Sequence, residues 1–268
     1  MTKSIAKILF LLFFVPSLTI GIVSCEDDDD DDDPAPAPTA TSFQATINMT
    51  ELANKWTVSL RTDTIKPYTN KKGQRFNISR LRYLISDLTF HKSDGSSFTI
   101  DGYHFVDVED PNTKTYTPAT KVPNGDYSSI SFTFGFDTTA NTPNAYPDLN
   151  TANWNWPAML GDGYHFMQLE GKYDSSGTEK FFATHMGTAK DMSSGTAVFE
   201  ANHFVATPAN SAISVNGDFS FDIQMNVEQW YEDTFEWDFN VWNAPIMPIY
   251  DAQKRLNENG HSVFTVKL

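Results

Sequence analysis

The sequence has almost no cysteine, since Cys25 is the only one among 268 residues. A chain with one thiol forms no internal disulfide, so burial of apolar side chains has to stabilise its fold. The 21 phenylalanines, 10 tyrosines and 6 tryptophans supply large apolar surfaces for this purpose. The single thiol also rules out the Cys-x-x-Cys-His motif of covalently attached haem.

Several catalytic motifs are missing as well. The chain contains no Gly-x-Ser-x-Gly elbow, no phosphate-binding glycine loop and no His-Glu-x-x-His pair. Asp107 and Glu109 are two acids on one predicted strand, but they do not share a face with an aromatic platform, so they do not indicate a glycosidase. We therefore expect that the protein is not an enzyme.

The N-terminal residues have the composition of an export signal. A short basic start is followed by an apolar stretch, residues 8–23, which Pro16 interrupts and which is too short to span a membrane comfortably. The residues that end at Cys25 resemble a bacterial lipobox. This resemblance predicts a lipoprotein signal peptide at 1–24 and a diacylated Cys25 as the mature N-terminus. An ordinary signal peptide with an incidental cysteine is the alternative.

Residues 25–41 are expected to form an acidic, proline- and alanine-rich tether without regular structure. Glu26 to Asp33 are eight consecutive acids that repel one another, and a proline-alanine ladder follows them. The acid run resembles a surface-export signal of Bacteroidetes lipoproteins. We therefore predict an outer-membrane lipoprotein that its lipid holds at the cell surface. A periplasm-facing anchor and a merely solvated tether are the alternatives.

The balance of charge excludes one class of partner. The formal net charge is −15 at pH 7, and subtracting the eight tether acids and the two signal-peptide lysines leaves −9 for the rest. A domain this acidic is not expected to bind nucleic acid through the phosphate backbone.

Helical periodicity is nearly absent from residues 42–268. Apolar and polar residues alternate over short runs that Gly, Asn, Asp and Pro separate. Two such runs flank a turn at Asp174–Gly177, which indicates a hairpin, and only residues 247–260 have a helical pattern. The sequence predicts one all-β domain over 42–268, an antiparallel β-sandwich with long connecting loops and one short helix near the C-terminus.

Histidine is the residue type that offers a function. Two of the six histidines, with two tryptophans and three methionines, fall within Trp154–Met186. His165 is predicted to share a strand face with Met167, and His185 to lie on the partner strand of the same hairpin. Antiparallel pairing brings the two rings to one end of that hairpin, where His203 could join from a third strand.

Imidazoles that converge from neighbouring strands form a site for a transition metal. Thioether sulfurs nearby favour copper over magnesium or calcium. The alternative is that each histidine is a hydrogen-bonded packing residue and that the methionines fill the core.

Five segments in sequence order resemble the MbnP-like family, which includes methanobactin-associated proteins and copper-binding surface proteins of methanotrophs. They are "FNISRLRYLISDLTF", "YHFVDVED", "YSSISFTFGFD", "WNWPAMLGDGYHFMQLEGKY" and "FFATHMG". The likeness spans about residues 42–268. It implies a β-sandwich that binds copper through histidines, with a tryptophan oxidised to kynurenine at the site. A MauG-type dihaem cytochrome c peroxidase is the implied oxidant and partner.

The resemblance also implies roles for single residues. The implied copper ligands are His165, His185 and His203, with His104 in reserve. Trp156 is the implied modified residue, since Pro157 would hold its backbone rigid, and Trp154 is the alternative. The resulting hypothesis is a lipid-anchored protein that binds Cu(I) rather than Cu(II) and serves copper acquisition or storage.

A second hypothesis comes from the C-terminal aromatics. Trp230, Trp237 and Trp242 lie close together in the sequence, and exposed rings of this kind build carbohydrate-binding platforms. In this hypothesis the protein is a surface β-sandwich that binds a carbohydrate or a partner protein. The alternative for these rings is core and edge packing.

Overall fold

The computed structural model describes residues 41–268, which belong to one compact unit. The predicted signal peptide 1–24, the lipidation site Cys25 and nearly all of the tether 25–41 lie outside the described residues. In the described part of the chain, no helix has the length and apolar composition needed to cross a membrane.

Strands dominate the described residues. In chain order they are β1 (Ser42–Phe43), β2 (Ala45–Ala53), β3 (Trp56–Thr57), β4 (Tyr68–Thr69), β5 (Arg75–Phe76), β6 (Arg80–His91), β7 (Ser97–Asp107), β8 (Thr115–Tyr116), β9 (Val122–Pro123), β10 (Gly125–Tyr127), β11 (Ser129–Phe134), β12 (Met167–Ser175), β13 (Thr178–Met186), β14 (Ala189–Asp191), β15 (Val198–Glu200), β16 (Phe204–Ala206), β17 (Ile213–Val215), β18 (Phe219–Asn226) and β19 (Phe264–Lys267). The all-β prediction is confirmed.

Helical segments are few and short. The α-helices are α1 (Pro147–Thr151) and α2 (Tyr250–Gly260), and the 3₁₀ helices are Pro111–Lys114, Ala158–Leu160 and Val227–Tyr231. The predicted C-terminal helix is α2. Helix α1 was not predicted, because five residues are too few to show a helical period, although its proline at the first turn favours a helix start.

The strands form two principal sheets. One has eight strands (β4, β5, β6, β7, β11, β12, β13 and β16), and the other has five (β2, β3, β8, β18 and β19). All pairs within these sheets are antiparallel except β2 with β18, which run parallel over eight residue pairs. Alternation predicts that a segment is a strand, but the direction of its partner depends on long-range connections. The predicted antiparallel arrangement therefore holds for the other pairs of these two sheets, and β2 with β18 is the exception.

Aromatic side chains fill the space between the two sheets. Phe90 of the eight-stranded sheet packs edge-on against Phe219 and Phe221 of the other, with ring centroids 6.1 and 6.3 Å apart. Phe134 and Phe264 also meet across this space, with tilted rings whose centroids are 5.4 Å apart. These contacts bury the large apolar area that a chain without disulfides needs.

The hairpin of β12 and β13 forms as predicted. Its turn residues Ser176 and Gly177 have φ angles of 54° and 85°. Positive φ at both central positions is the requirement of a tight two-residue hairpin turn. The turn fixes the register that carries through to the pair Gln168 and His185 at the other end.

Candidate metal centre

The centre lies on the face of the eight-stranded sheet that points away from the other sheet. Gln168 of β12 pairs with Arg82 of β6 on one side and with His185 of β13 on the other. Opposite residues of paired strands project to the same side of a sheet. The next pair along, Met167 and Met186, projects to the core face and is fully buried.

A loop covers this outer face and delivers the second histidine. Trp156 donates its backbone N–H to the Gly163 carbonyl, and His165 donates its own to the Trp154 carbonyl, both at 2.9 Å. Between these bonds Asn155 and Tyr164 form an isolated bridge. The two stretches, 154–156 and 163–165, therefore form a short antiparallel pair that holds both tryptophans and His165 over the sheet.

The structure brings the His165 and His185 rings together, with their centroids 5.4 Å apart and their planes nearly perpendicular. The route differs from the prediction for His165. Strand β12 begins at Met167, and the chain bends at Phe166, so His165 does not share a strand face with Met167. Without this bend, strand alternation would have placed the His165 ring in the core, away from His185.

Hydrogen bonds determine which nitrogen of each ring carries a proton. His165 Nδ1 lies 3.1 Å from the Trp154 carbonyl oxygen, which only accepts, so Nδ1 is the donor. His185 Nε2 donates to Oε1 of Glu170 at 2.9 Å. In a neutral imidazole the other nitrogen holds the lone pair. His165 Nε2 and His185 Nδ1 are therefore the nitrogens free to ligate a metal.

The spacing of the two rings suits one shared ion. A metal about 2.0–2.1 Å from one nitrogen of each ring can join rings whose centroids are up to about 6 Å apart, and the observed 5.4 Å is within that reach. Among residues 41–268, no group of three or more His, Cys, Asp or Glu side chains is placed to hold one ion. The centre thus offers two imidazole ligands, and any further ligand would have to be something other than a third His, Cys, Asp or Glu side chain of the described residues.

Burial keeps His165 neutral. Desolvation, followed by the proximity of His185, lowers the pKa of His165 to about 3. The side chain is 6% exposed, and a charged imidazolium there would lose most of its hydration. The ring is therefore in the form that binds metals across the physiological pH range.

This shift makes stability depend on pH in a predictable direction. The unfolded chain binds a proton at His165 below about pH 6.5, whereas the folded chain does so only near its pKa of about 3. The free energy of unfolding contributed by this group is therefore lost as the pH falls through that window, by at most about 1.4 kcal/mol per pH unit. We expect the free energy of unfolding of His165→Gln, measured in urea, to fall less between pH 6.5 and 4 than that of the unaltered chain. Parallel pH profiles for the two proteins would contradict this.

Trp156 is packed between His165 and the sheet. Its ring centroid is 4.9 Å from that of His165, and its Nε1 donates to the Leu160 carbonyl at 3.1 Å. Below it lies Gly187, where a Cβ atom would come within 2.5 Å of the indole ring. Only glycine leaves the space that this ring occupies.

Trp154 lies on the other side of His165, with ring centroids 5.4 Å apart. It is fully buried, and its Nε1 has no hydrogen-bond partner. The Arg82 guanidinium lies 5.3 Å from the Trp154 ring centroid, and Gln168 Oε1 accepts from Arg82 Nη2 at 2.5 Å. The two tryptophans therefore differ in hydrogen bonding and in the charge next to each ring.

Sequence reasoning missed four residues of this centre, which are Arg82, Gln168, Glu170 and Gly187. Glu170 orients His185, and the hydrogen bond from His185 is the main cause that lowers the pKa of Glu170. Strand alternation puts Glu170 on the same face as Gln168, so the pattern contained a signal for its position. Nothing local to Arg82 indicates that a loop some 70 residues later packs on it.

The structure does not bring the other two predicted ligands to this centre. His203 lines a separate cavity of about 230 Å³ together with Asp137 and Glu200. His104 stacks on Tyr116 and hydrogen-bonds the Thr113 carbonyl at 2.6 Å. His203 comes just before β16 and His104 lies on β7, and which strands bring their residues to the centre is decided by long-range packing that a linear pattern does not reveal.

The methionines are also placed differently from the expectation of nearby thioether sulfur. Met167 and Met186 are in the core, on the opposite face from the His185 ring, and Met159 is 74% exposed. These sulfur atoms therefore give no support for copper at the centre.

The C-terminal tryptophans do not form an exposed platform. Trp230 and Trp237 are buried, and Trp242 packs against Trp237 with ring centroids 5.0 Å apart. The Arg255 guanidinium covers the Trp242 ring at 4.8 Å. The alternative of core and edge packing therefore describes these three rings, which close the core around the last helix.

Comparisons with known proteins point to one family. A family model described as MbnP matches residues 41–247. Among solved structures, MbnP from Methylosinus trichosporium is similar in fold, with a TM-score of 0.55 and 12% sequence identity over 85% of this chain and 99% of that one. A comparison with curated protein sequences finds no match.

Proposed function

The chain belongs to the MbnP family, and from this premise we propose that it binds copper between His165 and His185. One observation carries the proposal: the two rings lie 5.4 Å apart, and the hydrogen bonds of each leave a lone-pair nitrogen. A carbonyl or carboxylate on the second nitrogen is the usual support of a metal-binding histidine. Imidazole ligands suit copper, and the family makes copper the natural choice.

The monovalent ion is the better fit. The Arg82 guanidinium is desolvated and lies beside Trp154 and His165, where it lowers the pKa of His165. A fixed positive charge opposes a dication about twice as strongly as a monocation at the same position, and the Glu170 carboxylate, which would attract a dication, is paired with Arg80. We therefore propose Cu(I), held for acquisition or storage and not for catalysis.

The cellular location of the domain is part of the same proposal. Cys25 attaches the protein to the outer membrane through its lipid, and the acidic tether holds the domain at the cell surface. The supports are the lipobox-like residues and the acid run in the sequence.

Copper titration of the full-length chain tests the function. Competition with a coloured Cu(I) chelator should show one tightly bound ion per chain, and Cu(II) should bind more weakly. The variant His203→Ala is the matched control, because it removes a histidine from a separate cavity and should leave the stoichiometry unchanged. A chain that takes up no Cu(I) against the chelator would refute the proposal.

Trp156 is the tryptophan that we propose to be oxidised. Its Nε1 donates a hydrogen bond to the Leu160 carbonyl, which stabilises the positive charge that develops on the ring as an electron leaves, whereas Trp154 has no such partner and lies beside the Arg82 guanidinium. A cation next to an indole ring opposes the loss of an electron from it. A MauG-type dihaem peroxidase would supply the oxidising equivalents. Two peroxides deliver two oxygens to give N-formylkynurenine and two waters, and hydrolysis then releases formate.

Intact mass and peptide sequencing of protein from its native host check this assignment. The net change is the loss of one carbon and the gain of one oxygen, about 4 Da, at Trp156. Trp154→Phe should keep the mass change and Trp156→Phe should lose it. A mass change located on Trp154 would contradict the assignment.

A further inference from the structure

A buried glutamine beyond the family match holds the backbone beside the metal centre. Gln253 lies on helix α2 (Tyr250–Gly260), has no exposed surface and follows the last residue of the MbnP match, which covers 41–247. Its side chain reaches the end of strand β13. This strand pairs with β12 on one side only, so its other edge needs partners for its backbone groups.

Four hydrogen bonds use both ends of the Gln253 amide. Nε2 donates to the carbonyl oxygens of His185 at 2.8 Å and of Ile246 at 3.4 Å. Oε1 accepts from the backbone N–H of Gly187 at 3.2 Å and from Nδ2 of Asn202 at 3.4 Å. Two acceptors face the amide nitrogen and two donors face the amide oxygen, so the contacts require an amide in one orientation.

Gln253 holds two backbone groups, the carbonyl of His185 near the end of β13 and the N–H of Gly187 just after it. Both belong to residues that shape the centre. His185 carries one of the two imidazoles, and Gly187 is the surface on which the Trp156 ring lies. The regular β12–β13 pairing ends at Met186, so the strand ladder does not fix the backbone beyond it. Asn202, itself fully buried, also donates to the Gln253 carbonyl at 3.2 Å and thereby holds the glutamine in place.

We propose that Gln253 is a positioning residue of the metal centre. By holding the backbone at His185 and Gly187, it sets the direction of the His185 ring. It also sets the position of the Trp156 ring, which packs on Gly187, relative to His165. The expected effect on copper affinity rests on the proposed function, whereas the expected effect on the ring positions in the copper-free protein does not. A helix outside the family match thus completes the support of the site.

The test compares Gln253→Met and Gln253→Glu with Leu256→Ala in the full-length chain. Methionine matches the length of glutamine but provides no strong donor or acceptor. Glutamate keeps the size and places an oxygen opposite two carbonyl oxygens. Leu256 is buried on the same helix and has no polar group to hold the β13 edge, so its truncation loosens the helix by loss of packing alone.

Both Gln253 variants are expected to bind Cu(I) about 10–100-fold more weakly, the usual effect of losing a group that orients a ligand. In the copper-free proteins, the ring ¹H–¹⁵N signals of His185 should shift. Leu256→Ala should keep the affinity and the ring signals, with a lower urea midpoint. Folded Gln253 variants with unaltered affinity and unaltered ring signals would overturn the inference. If the unaltered chain binds no copper, the proposed function fails, and the ring signals alone decide the role of Gln253.

Discussion

The double variant His165→Ala/His185→Ala is expected to lose stoichiometric copper binding. Both lone-pair nitrogens of the centre disappear, and His104 and His203 make their contacts elsewhere. The loss of affinity should exceed the roughly 10–100-fold that follows removal of an orienting group alone. Competition with a Cu(I) chelator, followed by metal analysis of the desalted protein, measures it.

A second double variant controls for the number of histidines removed. His104→Ala/His203→Ala takes away two imidazoles as well, but these lie apart from the His165 and His185 rings. It should bind one copper with the affinity of the unaltered chain. If the first double variant kept its copper, or the second lost it while folded, the assignment of the centre would be wrong.

Glu51→Ala is expected to lower the free energy of unfolding by about 3–5 kcal/mol, the usual cost of breaking a buried charged pair. Glu51 is fully buried between the two sheets. Its carboxylate accepts from the Tyr83 hydroxyl at 2.7 Å and from Lys114 Nζ at 2.6 Å. Removing the carboxylate leaves the buried Tyr83 hydroxyl without its acceptor, and a cavity adds to that cost. Urea denaturation near pH 7 measures the change.

Glu51→Gln provides the matched comparison. It keeps the shape of the side chain and an oxygen for the Tyr83 hydroxyl while it removes the charge that Lys114 meets, so it should cost less than Glu51→Ala. Glu51 lies in the core between the two sheets, whereas the His185 ring lies on the outer face of the eight-stranded sheet. Neither variant should therefore alter copper affinity. Equal stability of Glu51→Ala and the unaltered chain would contradict the prediction.

Glu51 also shows what strand alternation predicts and what it does not. Alternation along β2 places Ala45, Ile47, Met49 and Glu51 on one face, and that face is buried. The period of two therefore predicts the position of Glu51 correctly. It does not predict that Tyr83 and Lys114, 32 and 63 residues further on, supply the partners that make burial of the carboxylate tolerable.

The two histidines divide in the same way. The turn at Asp174–Gly177 and the flanking alternation are local, so the hairpin and the placement of His185 on it follow from the sequence. His165 lies two residues before β12, and its direction depends on the bend at Phe166 and on the pairing of 154–156 with 163–165. These are contacts of a loop with a sheet, for which no residue period exists.

Composition, alternation and turn residues by themselves determined an all-β domain, its C-terminal helix and the hairpin that carries His185. Tertiary structure alone decided which histidines meet, since His165 reaches the centre while His104 and His203 do not. It also decided that β2 and β18 run parallel. The reason is physical: strand and turn preferences act between near neighbours in the chain, whereas a metal centre is made where distant segments pack on one face of a sheet.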